Sequence, residues 1–231
     1  MKKVLVCNNC HTENPFYHLI CTKCSAFLRT KIPNIDLWDT LWKLLESPVK
    51  TGEYIIQADH KNFVSTVLVL AGIKIGIAFL IISNALSLSK YEIENYFQFI
   101  LLGAVVFIVS LVVASFLITI LNNLLGLKNR FKDNLALYSY SFLPIVLTLI
   151  ILTPIQLAIY GTYWFTFNPS PLFFKPLTTY VMLFLEGLFF LWSLFLLVTS
   201  TYSQSKNIVY SIVVGIGIVV VISAGSFFTM V

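Results

Sequence analysis

The sequence predicts an all-α membrane protein: five transmembrane helices in a bundle, preceded by a small cysteine-bearing module and amphipathic juxtamembrane helices. Three observations carry that expectation. The 231 residues are 58% hydrophobic and only 11% charged, with a mean hydropathy of +0.88, whereas soluble globular domains carry about 25% charged residues. Five apolar runs follow one another in the second part of the chain. All four cysteines crowd into the first part as two Cys-x-x-Cys hooks.

The runs are Val64 to Leu86, Phe99 to Leu121, Leu135 to Tyr160, Leu177 to Ser200 and Ile208 to Met230. At 1.5 Å per residue each crosses about 30 Å of hydrocarbon as a helix. Barrel strands are about 10 residues long and alternate in polarity, which these runs do not. Pro144 and Pro154 predict kinks in the third run. Residues 64–231 are therefore expected to be the membrane part. The polar residues before them divide into a cysteine module over 1–30 and a juxtamembrane segment over 31–63. Residues 1–63 hold eight of the fifteen Lys and Arg and six of the ten acids.

Loop charge predicts orientation. Lys128, Arg130 and Lys132 stand against Asp133 in the loop after the second run, and Lys206 lies in the loop after the fourth. The loop Ser87–Gln98 sets Lys90 against Glu92 and Glu94, and Gly161–Pro176 has only Lys175. Positive-inside then places the N-terminus in the cytoplasm and the C-terminus outside. Met1-Lys-Lys runs straight into the cysteine motif, so no signal peptide is expected. Tyr160, Tyr163, Trp164 and Tyr180 are expected to form an interfacial belt at the outer loop.

Cys7, Cys10, Cys21 and Cys24 form two hooks ten residues apart. Such hooks can place four thiolates tetrahedrally around one zinc ion. Two disulfides, which the reducing cytoplasm disfavours, or four free thiols are the alternatives. His11 and His18 are expected beside the site rather than in it. Four thiolates leave a zinc no open position, so the ion is expected to be structural.

After Pro33, the residues Leu37, Trp38, Leu41, Trp42, Leu44 and Leu45 share one broad helical face. That face suits either the bilayer interface or packing against the protein. Ser47-Pro48 is expected to start a second helix running toward His60.

Within the membrane part, Lys74 and Glu186 are expected to meet as an ion pair, because a lone charge at the bilayer centre costs roughly 2.5–3.5 kcal/mol or more. Gly72 and Gly76 permit close helix approach on the face opposite Lys74, and Gly215 and Gly217 offer something similar in the last run. No Asp or His lies within a run, which removes paired aspartates, a Ser–His dyad and a His-Glu-x-x-His zinc site. No Gly-rich phosphate loop and no dense basic patch with interleaved aromatics appears, so neither catalysis nor nucleic-acid binding is expected.

The stretch Val6 to Leu28, with Thr12-Glu13-Asn14-Pro15 between the hooks, resembles the zinc ribbons that open many prokaryotic membrane proteins. It departs from them at His11 and Ser25, where Gly usually follows each hook. Residues 36 to 231 resemble the Yip family, multi-pass proteins named for interacting with Ypt/Rab GTPases. The resemblance rests on five spans after a cytoplasmic N-terminal region, Ser47-Pro48 before the first span, the basic loop, and Leu137-Tyr138-Ser139-Tyr140-Ser141-Phe142-Leu143-Pro144 opening the third. The ribbon joined to such a domain is similar to the prokaryotic branch. The resemblance implies a non-enzymatic, membrane-organising scaffold in the prokaryotic plasma membrane, surrounded by the lipid bilayer, with a cytoplasmic protein partner recruited through the ribbon. A small transporter using Lys74 and Glu186, and a sensor whose ribbon reports metal or redox state, are the competing readings.

Overall fold

The computed structural model describes residues 4–86, 96–127 and 129–230, the side chains of the last helix through 228. Lys90, Glu92, Glu94 and Lys128 of the charged loops lie outside the described residues. The chain opens with an antiparallel hairpin, β1 (Val4–Val6) against β2 (Glu13–Pro15). Two short helices follow, α1 (Leu37–Glu46) and α2 (Pro48–Gln57). Among the described residues, five helical segments are long and apolar enough to cross a membrane: α3 (Val64–Ala85), α4 (Tyr96–Leu124), the composite segment Leu143–Tyr160, α10 (Pro176–Ser205) and α11 (Ile208–Met230).

The third crossing segment is broken rather than kinked. Helix α5 (Phe131–Ser141) ends at Phe142, and α6 (Leu143–Leu147) restarts with Pro144 in its first turn. A π-helix over Thr148–Leu152 follows, and α7 (Thr153–Tyr160) restarts with Pro154 in its first turn. Proline has no N–H to give and its ring crowds the carbonyl four residues back, so each break precedes a proline. Two single turns, α8 (Tyr163–Thr166) and α9 (Pro171–Phe174), then lead into α10.

The crossing segments form a closed ring. Helix α3 packs on α4, α4 on α11, α11 on α10, and the third segment fills the gap between α10 and α3. Leu68 and Ala71 of α3, Phe107 and Leu111 of α4, Val146 of α6, Leu196 and Leu197 of α10 and Ile218 of α11 fill its centre. The glycines of α3 explain its tightest seam. A Cβ on Gly72 would stand 3.1 Å from the Ala104 carbonyl oxygen, and one on Gly76 2.5 Å from that of Ile100. Helix α4 thus lies directly on that face, and Lys74 points the other way, toward the third segment. In α11, Gly215 seats against Val198, whereas Gly217 meets nothing within 4 Å.

The aromatic belt divides. Tyr163 and Tyr180 are exposed, but Tyr160 and Trp164 are buried with Met182 at the end of the bundle remote from the cysteine module. Their rings stack 4.9 Å apart, because α8 folds back over the end of α3, where Asn84 Nδ2 donates to the Phe165 carbonyl at 2.8 Å. The apolar face of α1 also divides. Leu44 is buried and Leu37 and Leu41 pack on the core, while Trp38, Trp42 and Leu45 point outward. The helix offers more apolar circumference than one contact covers. Helix α2 stops at Gln57, short of His60, and no side-chain cap closes its start at Ser47.

Candidate metal centre and intramembrane polar seam

The two cysteine hooks share one backbone design. In each, the first cysteine N–H donates to the carbonyl five residues on, Cys7 to Thr12 at 3.1 Å and Cys21 to Ala26 at 2.9 Å. The residue four places on returns the bond, His11 N–H to Cys7 O at 2.9 Å and Ser25 N–H to Cys21 O at 3.1 Å. That turn forces positive φ on His11 (54°) and Ser25 (59°), a region glycine enters without penalty. The four thiols are free, and their Sγ atoms all lie within 4.8 Å of one another. Cys7–Cys24 and Cys10–Cys21 approach to 3.5 Å. A tetrahedron with metal–sulfur bonds of about 2.3 Å needs sulfurs about 3.8 Å apart, so the group fits one metal ion.

Local groups act on the thiols unequally: the Ala26 N–H pulls the Cys24 thiol down, but the Cys10 thiol, burial and the Cys7 thiol together push it up to about 11. The backbone N–H groups of Cys24 and Lys23 hold the Cys21 thiol down to about 6. Asn14, buried between the hooks, donates to the Thr12 carbonyl at 2.8 Å and accepts from the Thr22 N–H at 2.9 Å. Neither histidine joins the four sulfurs: His11 is exposed, and His18 packs edge-on against Tyr17.

The module is fastened to the bundle by cations. Arg29 donates to the carbonyls of Tyr17 (3.2 Å) and Gln57 (2.8 Å). The Arg130 guanidinium stacks 4.2 Å over the Tyr17 ring while it bonds Asp133 at 2.7 and 3.2 Å. Lys61 closes the end of α2 by donating to the carbonyls of Ile55, Ile56 and Ala58, and stands 3.3 Å from Asp133. Beside this joint, Gln204 Nε2 donates to Asn134 Oδ1 at 2.7 Å, and Gln204 Oε1 accepts from Asn122 and Asn129 at 3.3 and 2.8 Å. Tyr210 and Thr119 complete this amide cluster. A cavity of about 110 Å³ separates it from β2.

Deeper in the bundle, Lys74 Nζ lies 2.5 Å from Glu186 Oε1 and donates to Thr153 Oγ1 at 3.2 Å. Gln156 Nε2 donates to the same carboxylate at 2.9 Å. This group belongs to a longer line. Along α10, Thr179, Glu186, Ser193 and Ser200 recur every seven residues on one face, and the third segment meets that face with polar groups in antiparallel order. Tyr160 OH bonds Thr179 at 3.1 Å, Gln156 bonds Glu186, and Ser141 shares a hydrogen bond with Ser200 at 3.0 Å. Helix α5 and the third segment repeat the spacing at Asn134, Ser141 and Thr148, but the next polar contact with α10, Gln156, is eight residues on. The π-turn between them holds the additional residue: the Thr153 N–H reaches back to the Thr148 carbonyl.

The amide cluster and the seam are absent from a motif reading of the sequence. Hydroxyl and amide residues occur throughout membrane helices, and only the seven-residue recurrence at 179, 186, 193 and 200 marks the seam in one dimension. No curated protein and no solved structure matches the chain. A family model described as the Yip1 domain matches residues 42–227, from the end of α1 through the last span, so the chain belongs to the Yip1 domain family.

Proposed function

We propose that this Yip1-domain protein is a non-enzymatic membrane scaffold whose N-terminal module is a zinc ribbon that recruits a cytoplasmic protein. In this reading residues 1–30 are the ribbon and hold one structural zinc through Cys7, Cys10, Cys21 and Cys24. Residues 31–63 join it to the five-span domain at 64–231. The N-terminus is cytoplasmic, the C-terminus lies outside, and the membrane is the prokaryotic plasma membrane. The observation that carries the reading is a module that is fastened to the bundle and still keeps apolar side chains exposed. Tyr17, Arg29 and Arg130 pin it, while Val6, Ile20 and Phe27 remain exposed, Phe27 to 78%.

The test compares full-length chain with chain lacking residues 1–30 in mild detergent, measuring bound zinc and the cytoplasmic protein retained. The full chain should carry one zinc and a specific partner, and the truncated chain neither. Cys21→Ser should lose both while still inserting, because the spans insert on their own apolarity. Partner retention by the truncated chain overturns recruitment, and zinc well below one per chain under reducing conditions overturns the metal. A reporter fused after Val231 that is active only in the cytoplasm should stay silent.

A further inference from the structure

The line from Thr179 to Ser200 spans about 32 Å at 1.5 Å per residue, the thickness of a bilayer's hydrocarbon core. It runs from the end of the bundle carrying Trp164 toward the end carrying the cysteine module, where Gln204 and Asn134 continue it. Two polar groups on it are buried and unsatisfied. Gln156 is fully buried, and its Oε1 has no hydrogen-bond partner. Ser193 is 2% exposed and its Oγ has none. Leaving such an atom unbonded is costly, and an internal water removes the cost. Between the Ser141–Ser200 and Gln156–Glu186 contacts, the antiparallel register sets Ser193 near the level of Thr148, where the π-helix begins.

We propose that the seam between α10 and the third crossing segment takes up water and conducts protons, with Glu186 as the carrier. This goes beyond the scaffold reading and does not rest on it. A proton entering past Thr179 and Tyr160 adds to the Glu186 carboxylate to give the neutral acid. The acid releases it to water beside Ser193, which restores the carboxylate, and the hydroxyls of Ser193, Ser200 and Ser141 relay it onward. Lys74 pairs the carboxylate between passages. Glu186, Ser193 and Ser200 follow one another about 10 Å apart along α10, so each of the two gaps requires two or three waters to carry the proton.

The chemistry selects protons over metal cations. Leu143, Val146, Leu196 and Leu197 are packed beside the line, so no open channel runs along it. Its only carboxylate is already engaged by Lys74 and Gln156, leaving no oxygen cage for a dehydrated ion. Thr153 and Gln156 are the polar groups facing Glu186 from the third segment, and Lys74 is the one from α3. Helices α4 and α11 carry no Asp, Glu, Lys, Arg or His.

The experiment reconstitutes the full chain into vesicles holding a pH-sensitive dye, imposes a potassium diffusion potential and follows internal pH. The parent should acidify the lumen faster than protein-free vesicles. Glu186→Gln should fall to the protein-free level. Ser193→Ala, which removes the hydroxyl oxygen and adds no bulk, should lower the flux several-fold. Thr199→Val, whose hydroxyl bonds only its own helix, should leave it unchanged. If Glu186→Gln does not elute as a folded species, Ser193→Ala decides. Flux equal to that of empty vesicles, flux untouched by Glu186→Gln or Ser193→Ala, or equal leakage of sodium ions overturns the proposal.

Discussion

Among the described residues, two lysine–carboxylate pairs set into the protein are built differently: Lys61 and Asp133 keep 9% and 2% of their side chains exposed, Lys74 and Glu186 3% and 24%. An ammonium has three N–H donors. Lys61, at the joint between the cysteine module and the bundle, meets three carbonyls and Asp133, and Asp133 is also held by Arg130. Lys74, within the crossing segments, meets one carboxylate and one hydroxyl, and the neighbouring Gln156 keeps an unsatisfied oxygen. The first pair over-determines its geometry. It ties the end of α2 to the start of α5 where backbone carbonyls are free to accept, at the last turn of a helix. The second sits among helices whose carbonyls are consumed by their own ladders, so only side chains remain as partners. The joint is therefore built for fixity, and the membrane pair retains the capacity to change partners.

The most severe way to break this contrast is to remove one member of the membrane pair. Lys74→Met and Glu186→Leu should each destabilise the bundle by about 3–5 kcal/mol, since each leaves a buried charge unpaired. The double variant should lose clearly less than the sum. Thermal unfolding in detergent over the full cycle measures it, and additive losses would mean that the two side chains do not support one another. The stable double variant should keep any partner bound through the module.

A somewhat smaller effect is expected behind Lys74. Gly76→Ala drives a methyl into the Ile100 carbonyl, which belongs to backbone and cannot rotate away, so a loss of about 2–3 kcal/mol is expected. Gly217→Ala, with open space around it, should be neutral or slightly stabilising by helix propensity. Because Gly76 sets the distance of α3 from α4, Gly76→Ala and Glu186→Leu should combine to less than their sum. Equal melting temperatures for the two alanine variants would contradict the close approach.

The smallest effect probes the joint. Burial pulls the Lys61 ammonium from the ordinary 10.5 down to about 8, although Asp133 pulls the other way. Between those values the folded chain has released a proton that the unfolded chain still holds, so stability should rise with pH there. Below pH 8 both states are protonated and the burial cost is present in full. Lys61→Met should flatten that rise. An unchanged slope between pH 8 and 10.5 in the variant would remove Lys61 as its source.

Much of this was legible in one dimension. Apolar runs of bilayer length, the paired hooks and the glycines beside Lys74 are local features, and a bilayer or a metal ion acts on them locally, so composition and spacing alone determined five crossing segments and a four-thiol cluster. The positive φ at His11 and Ser25 belongs to the same local turn, although glycine, which the resembling ribbons carry there, is absent from both places. Only the tertiary structure decided which polar groups meet. Asn134 and Gln204, or Ser141 and Ser200, are ordinary polar residues until antiparallel packing sets them opposite one another. The π-turn that brings Gln156 onto Glu186 depends on which face of the third segment α10 and α3 hold. Tyr160 and Trp164 went inward, rather than to the interface, because α8 folds over the bundle end, a long-range event that no local pattern encodes. In a bilayer, apolarity decides that a helix crosses, while hydrogen bonds and packing between distant segments decide how it is turned.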